Sequence, residues 1–268
     1  VNVELVWREE DGARLASTVW RVDGPHRAVS SAMLGGGIGP AGWVLNAQVA
    51  GAYSRTDPVA HLGELAASLG LEGPGVGMLT AASVERTVRR DDEGVRVSAT
   101  VGLRVPTWAA SPAGVPDPEL APIRLDGTGG VPSRSPLRTP PRRSSQGPPQ
   151  ARPGTVNIVV AVPVPLTDGA LVNAVVTATE AKTQALLEAG YPCTGTASDA
   201  ICVAAPVTSG EAEPFAGPRS VWGARIARAV HAAVHAGALD YTAQLRARVG
   251  PAAAPPGHGA ATGPGHSR

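Results

Sequence analysis

The stretch TVNIVVAVPVPLTDGALVNAVVTATEAKTQALLEAG, Thr155 to Gly190, decides how this chain is read. Its first third is a run of β-branched and small apolar residues with almost no alternation, which marks a central strand covered on both faces. Thr167 or Asp168 then caps a long helix, and Gly190 closes it. A second apolar run, AICVAAP (200–206), reads as another buried strand. Buried strands with long helices beside them place helices over the outer face of a sheet.

Outward from this centre, strands outnumber helices. VELVWREEDGARLASTVW (3–20) reads as a hairpin with Asp11-Gly12 at its turn, and VERTVRRDDEGVRVSATVGL (84–103) as a second one around Glu93-Gly94. AVSSAML (28–34) and GWVLNAQV (42–49) are further strand candidates. TDPVAHLGELAASLGL (56–71) reads as a helix capped by Thr56 or Asp57, with Pro58 at its first position and Val59, Leu62, Ala66 and Leu69 facing inward. SVWGARIARAVHAAVHAG (220–237) is a helix with Trp222, Ile226, Ala229, Val230 and Ala233 on one face, and a short further helix is expected over 239–249. Two hairpins imply antiparallel pairing, so the fold class is α+β, a layered sandwich of mixed β-sheets flanked by helices. The pattern predicts one domain over 1–249. It is interrupted at 112–153 by a Pro-, Gly-, Ser- and Arg-rich segment that cannot repay its ordering entropy, and it is followed by a disordered tail, 250–268.

Composition narrows the function classes. The chain has 268 residues, 43% of them apolar, and a net charge of +1, which gives no clustered basic face for nucleic acid. No apolar run approaches a membrane span. The opening VNVELVWREED has neither a basic region nor a long apolar core, so no secretory leader is expected. Cys193 and Cys202 form neither a CxxC pair nor a disulfide framework, which points to a reducing cytoplasm and no structural metal. The chain has 22 Arg but a single Lys, and Asn is scarce. Asn46, Asn157, Asn173 and Lys182 therefore stand out as residues not readily exchanged.

Four features could carry chemistry. In LGGGIGPAG (34–42), five glycines and a proline fall within nine residues just before an apolar run. Such a loop is either a plain connection or a place where backbone N–H groups approach a ligand. In the long helix Asn173, Thr177, Glu180 and Gln184 form one polar stripe, either a solvent face or the lining of a cavity. Lys182 lies off that stripe on a mainly apolar side and is expected to be paired. The turn CTGTASDA (193–200) crowds Thr196, Ser198 and Asp199 before a buried strand. That suits a nucleophile with a supporting carboxylate, but also an ordinary turn that satisfies its own backbone. His231 and His235 have the spacing of metal ligands, yet no carboxylate accompanies them in sequence, and they read as a solvated basic face.

The whole pattern resembles the adenosylcobinamide amidohydrolase family. The matching segments are SSAMLGGGIGPAGWVLNAQVAGAYSRTDPVAHL, GPGVGMLTAASV, ATVGLRVPTWA, GTVNIVVAVPVPLTDGALVNAVVTATEAKTQAL, CTGTASDAICVAAP and FAGPRSVWGARIARAVHAAV. They cover most of 29–108 and 154–235, and the 112–153 segment and the tail fall outside them. The resemblance implies a hydrolase that splits the amide between aminopropanol and a corrin propionate, giving adenosylcobyric acid for cobamide salvage. The corrinoid is then the substrate, with no separate cofactor or metal. On this view Asp199, Ser198, Thr196, Glu180 and Lys182 are the catalytic candidates. Gly35, Gly36, Gly37 and Gly39 would approach the ligand, Trp43 would form an apolar wall, and Asn46 and Asn157 would meet ring amides. The alternatives are a corrinoid-binding protein without catalysis, or a peptide amidase. The order of strand, helix and GTASDAICVA is also similar to part of the self-processing aminopeptidase and ornithine acetyltransferase group, which implies an α/β/β/α layering. No Asn-Ser or Gly-Ser processing site accompanies it.

Overall fold

A computed structural model of the chain describes residues 3–51, 53–115, 117 and 154–249. Beyond its first few residues the expected disordered segment lies outside them, as does the expected tail. The chain opens with β1 (Val3–Glu10), β2 (Ala13–Arg21), β3 (His26–Ser30), β4 (Gly37–Pro40) and β5 (Trp43–Gln48). Then come α1 (Pro58–Ser68), β6 (Gly75–Thr80), β7 (Val88–Asp92), β8 (Val95–Gly102) and the short β9 (Pro106–Thr107). The second half supplies β10 (Thr155–Ala161), α2 (Asp168–Glu188), the short β11 (Gly195–Thr196), β12 (Ala200–Pro206) and α3 (Val221–Val249).

Two sheets stack. One has the order β1-β2-β5-β6 and the other β4-β3-β12-β10-β8-β7, while β9 and β11 form a small ribbon. The pairs β5–β6 and β10–β12 are parallel, and every other pair is antiparallel. Side-chain alternation separates three cores. Trp20, Ala28, Val44, Met78, Ala200, Cys202 and Ala204 fill the space between the sheets. Ile158, Val160 and Val203 face the other way and meet Ala174, Ala178, Ala181 and Ala185 of α2 and Ile226 and Val230 of α3. Val19, Leu45 and Ala47 cover the outer face of the smaller sheet beneath Leu62, Leu65 and Ala66 of α1. The layering is therefore α/β/β/α.

Local chemistry explains the elements. Both hairpins form where expected, with positive φ at Asp11, Gly12, Glu93 and Gly94, as two-residue turns matching strand twist require. Thr167 caps α2 by accepting from the Ala170 N–H at 3.2 Å, and Gly190 leaves the helix in the left-handed region.

Four expectations are corrected. The helix from 221 does not stop near Gly237 but runs unbroken to Val249. Gly237 is there because the helix crosses β8, where an added Cβ would lie 2.6 Å from Val101. On α1 the inward face is His61, Leu62, Leu65 and Ala66, and Val59 is exposed. The strand expected at 28–34 is β3, shifted to 26–30. The glycine-rich stretch is in part an edge strand, β4, on β3. β6 escaped notice as a strand because glycines interrupt its pattern: the Trp43 ring lies on Gly75, and Leu34 and Leu62 lie against Gly77.

Candidate functional site

At one end of the sandwich the two sheets part around a cavity of about 490 Å³. The larger sheet supplies Thr155 at the start of β10, Ser198, Asp199 and Ala200 at the start of β12, and Ser31 just after β3. The smaller sheet supplies Met78, Leu79 and Thr80 of β6 and Val49 just beyond β5. Tyr53 and Pro58 close the wall on the side of α1, and Met33 stands at the rim. The result is an apolar pocket with a few polar groups on one side, the usual form of a small-molecule site.

The polar side is built around Asp199. Its Oδ1 accepts from the Val156 N–H at 2.8 Å and lies 2.6 Å from Thr196 Oγ1. Its Oδ2 accepts from Lys182 Nζ at 2.6 Å and from the Thr196 N–H at 3.1 Å. Lys182 and Asp199 are 8% and 10% exposed, so the pair is largely withdrawn from water. Lys182 reaches it because α2 turns this position toward the sheet while its neighbours Ala181 and Ala185 pack on the core. Gly195 lets the two meet: a Cβ there would lie 2.1 Å from Asp199 Oδ2 and 2.6 Å from Lys182 Nζ.

The Gly154 carbonyl accepts from Ser198 Oγ at 3.0 Å and lies 2.8 Å from Thr196 Oγ1. Thr155 Oγ1 and Ser198 Oγ share a hydrogen bond of 2.9 Å. The turn thus satisfies its own backbone, the ordinary reading, and also sets the exposed Ser198 hydroxyl at the cavity. Neither cysteine is a candidate nucleophile. Both are buried, and burial raises the Cys193 thiol and pushes that of Cys202 up to about 12.

Of the residues expected at the site, Asp199, Lys182, Thr196 and Ser198 come together. Glu180 does not. It faces the groove between α2 and α3, where its neighbours include Gln184, Arg228 and His231. Helical geometry explains the split, since residues two apart point about 200° away from each other.

Asn46 and Asn157 lie between the sheets just beneath the cavity. Asn157 Nδ2 donates to Asn46 Oδ1 at 2.8 Å and to the Leu79 carbonyl at 3.0 Å. Asn46 Nδ2 donates to Thr100 Oγ1 at 2.8 Å. They clamp one sheet to the other. Trp43 is no wall of this cavity. It packs beneath α1 and donates to the Gly73 carbonyl at 3.3 Å. The glycines also stay off the cavity wall. Gly35 and Gly36 are pressed on the backbone of Gly75 and Ala32, and Gly37 and Gly39 belong to β4. Gly37 does sit at the end of the sheet that bears the cavity, opposite Ser30.

His231 has a carboxylate after all: its Nε2 lies 2.7 Å from Glu188 Oε2, supplied by α2 and invisible in the spacing of α3. Among the described residues no group of three or more His, Cys, Asp or Glu could hold a metal ion, and no helix is long and apolar enough to cross a membrane.

Three participants were missed in sequence. Thr155 was read only as a buried strand residue. Gly195 is a lone glycine whose need appears only with Lys182 and Asp199 on either side. Tyr53 lies next to a helix start and shows no periodicity of its own.

The comparisons with known proteins agree with one another. The model of the adenosylcobinamide amidohydrolase family matches residues 3–246. A protein of Methanosarcina mazei called adenosylcobinamide amidohydrolase is 28% identical over 224 residues, 81% of this chain and 92% of that protein. One of the same name from Halobacterium salinarum is 38% identical over 132 residues, 49% of each chain.

Proposed function

This chain belongs to the adenosylcobinamide amidohydrolase family, and from that premise we infer that it hydrolyses the amide joining aminopropanol to a propionate side chain of the corrin ring in adenosylcobinamide. The products are adenosylcobyric acid and aminopropanol, which suits the salvage of incomplete corrinoids. The corrinoid is the substrate, and the reading calls on no separate cofactor.

We assign the reaction to the cavity at the end of the sandwich. The observation that carries this is the meeting, on one wall, of Ser198 and Thr155 with Asp199, which Lys182 holds from behind, opposite an apolar face. A corrin side chain carries its amide on a short apolar arm, and a pocket of this size admits the arm while the ring stays at the mouth. Met33 is 54% exposed at the rim and offers apolar surface to the ring.

The hydroxyls orient rather than attack. A nucleophilic serine needs a base within hydrogen-bond reach, and the described partners of Ser198 are a carbonyl and another hydroxyl. Asp199 has both oxygens engaged by Lys182, Thr196 and Val156. Its part is to fix the turn, so that Ser198 and Thr155 hold the scissile amide and an attacking water in one geometry.

The test is product formation. Purified protein given adenosylcobinamide should release aminopropanol in step with adenosylcobyric acid. Ligand binding with a spectral shift and no aminopropanol would mean a corrinoid-binding protein instead. Two chains in the mass spectrum would favour the self-processing amidases.

A further inference from the structure

Amide hydrolysis needs a group that takes a proton from water and returns it to the leaving amine. The wall with Ser198 and Asp199 offers none, but the opposite wall does. Tyr53 lines the cavity, and its hydroxyl lies 3.0 Å from Nδ1 of His61 on the inner face of α1. His61 is 3% exposed, and its Nε2 lies 3.2 Å from Oε1 of Glu10 at the end of β1. Arg8 holds the second oxygen of Glu10 from the same strand, its Nε donating at 2.7 Å. A hydroxyl, an imidazole and a carboxylate thus stand in line, and of the three residues Tyr53 lines the cavity.

Glu10 lies on the Nε2 side of His61 and Tyr53 on the Nδ1 side. In the neutral tautomer with its hydrogen on Nε2, Nδ1 accepts from the Tyr53 O–H. The phenol oxygen then keeps lone pairs free to accept a proton. When His61 is protonated, Nδ1–H donates to the phenol oxygen instead, and the phenol hydrogen is free to donate. We propose that Glu10, His61 and Tyr53 form the proton relay of this enzyme, with Tyr53 as the group that meets the reacting water and the leaving amine.

The step balances. Water adds to the amide carbon and gives its proton to the Tyr53 oxygen as the phenol proton passes to His61 Nδ1. The imidazolium is held by Glu10. When the carbon–nitrogen bond breaks, the phenol gives its proton to the aminopropanol nitrogen and recovers one from His61. The acid keeps the water oxygen, and the relay ends as it began. Burial raises the Tyr53 phenol, so it stays protonated through the neutral range and acts by passing a proton on. The other charged groups around it are Arg55, Asp57 and Glu64. Arg55 is bound to both carboxylates, leaving His61 as the hydrogen-bond partner of the phenol.

This proposal rests on the amidohydrolase reading, and the rate of aminopropanol release from adenosylcobinamide, followed in H2O and in D2O, tests both. The wild-type rate should fall in D2O, because the relay moves protons. Tyr53→Phe should lower kcat on the order of 10²- to 10⁴-fold, while binding of adenosylcobinamide, read from its spectrum, changes little. His61→Gln should lower the rate and shrink the solvent isotope effect. Glu10→Gln removes the charge that faces the imidazolium and should lower kcat with KM little changed. The last two readouts would not move if the trio only held α1 in place, and Tyr53→Phe alone decides the matter if His61→Gln does not fold. Wild-type release of aminopropanol with an unchanged rate and isotope effect in Tyr53→Phe overturns the relay alone. A wild type that releases none overturns the activity and the relay with it.

Discussion

Two hollows of the molecule, the cavity between the sheets and the groove between α2 and α3, are built on different terms. The groove between α2 and α3 is the larger, about 610 Å³ against 490 Å³ for the cavity between the sheets. It also holds more charge, with Glu180, Arg219, Arg228 and His231 along it. Yet its ionic groups bind one another at the surface: Arg228 pairs with Asp92 and His231 with Glu188. Such pairs are screened by water and hold little geometry. In the cavity the charged groups are few, withdrawn and tied to main chain, so the hydroxyls beside them keep fixed positions. Electrostatic catalysis depends on that fixity more than on the amount of charge. The comparison separates size and charge from fixity: the larger, more charged groove holds its groups loosely, whereas the cavity to which the reaction is assigned wires its polar groups into the backbone.

The contrast is tested most severely at Asp199. Asp199→Ala removes the acceptor of the Val156, Thr196 and Lys182 hydrogen bonds and leaves an ammonium group in a withdrawn site. Breaking a buried pair from one side costs about 3–5 kcal/mol, and aminopropanol release should cease. Denaturant unfolding and the product assay read the two effects separately. Gly195→Ala should come next, because its methyl group would sit on Asp199 Oδ2 and Lys182 Nζ and force the pair apart. We expect a loss of about 1–3 kcal/mol, the usual cost of overpacking, and at least tenfold in rate. A Gly195→Ala protein with wild-type stability and rate would show that the pair does not need its close approach.

The layers were legible in the sequence because burial leaves a periodic record. The unbroken apolar runs of β10 and β12, the two turns with Gly12 and Gly94, and the cap at Thr167 all name their structures locally. The site was half legible. Lys182 was visible as a lone lysine among alanines, and Asp199 as a carboxylate in a crowded turn. Their pairing was not, since 17 positions separate them and only the crossing of α2 over β12 brings them together. The glycine-rich loop lies off the cavity for a physical reason. Glycine is required wherever backbone meets backbone, and Gly35 against Gly75 and Gly36 against Ala32 meet the protein itself. Asn46 and Asn157, scarce polar residues on buried strands, likewise serve the contact between sheets. The Tyr53–His61–Glu10 line joins a loop, a helix and a strand, so no spacing rule could reveal it.

Smaller effects sharpen the comparison from each side. Ser198→Ala removes one exposed hydroxyl that donates to the Gly154 carbonyl, so its cost in stability should be about 1 kcal/mol. Because that hydroxyl is held at the cavity beside Thr155, the rate of aminopropanol release should still fall, by about 10- to 100-fold if it aligns the amide or the attacking water. The smallest effect belongs to the groove. Glu180→Ala alters an exposed side chain on the far side of α2 from Lys182, and surface substitutions of this kind stay within about 0.5 kcal/mol. Its rate should equal that of the wild type. Glu180 and Lys182 lie on one helix two residues apart, so general damage to α2 would reach both. A silent Glu180→Ala beside a damaging Asp199→Ala therefore assigns the loss to the wiring at the cavity, whereas a Glu180→Ala enzyme as impaired as Asp199→Ala would move the chemistry into the groove.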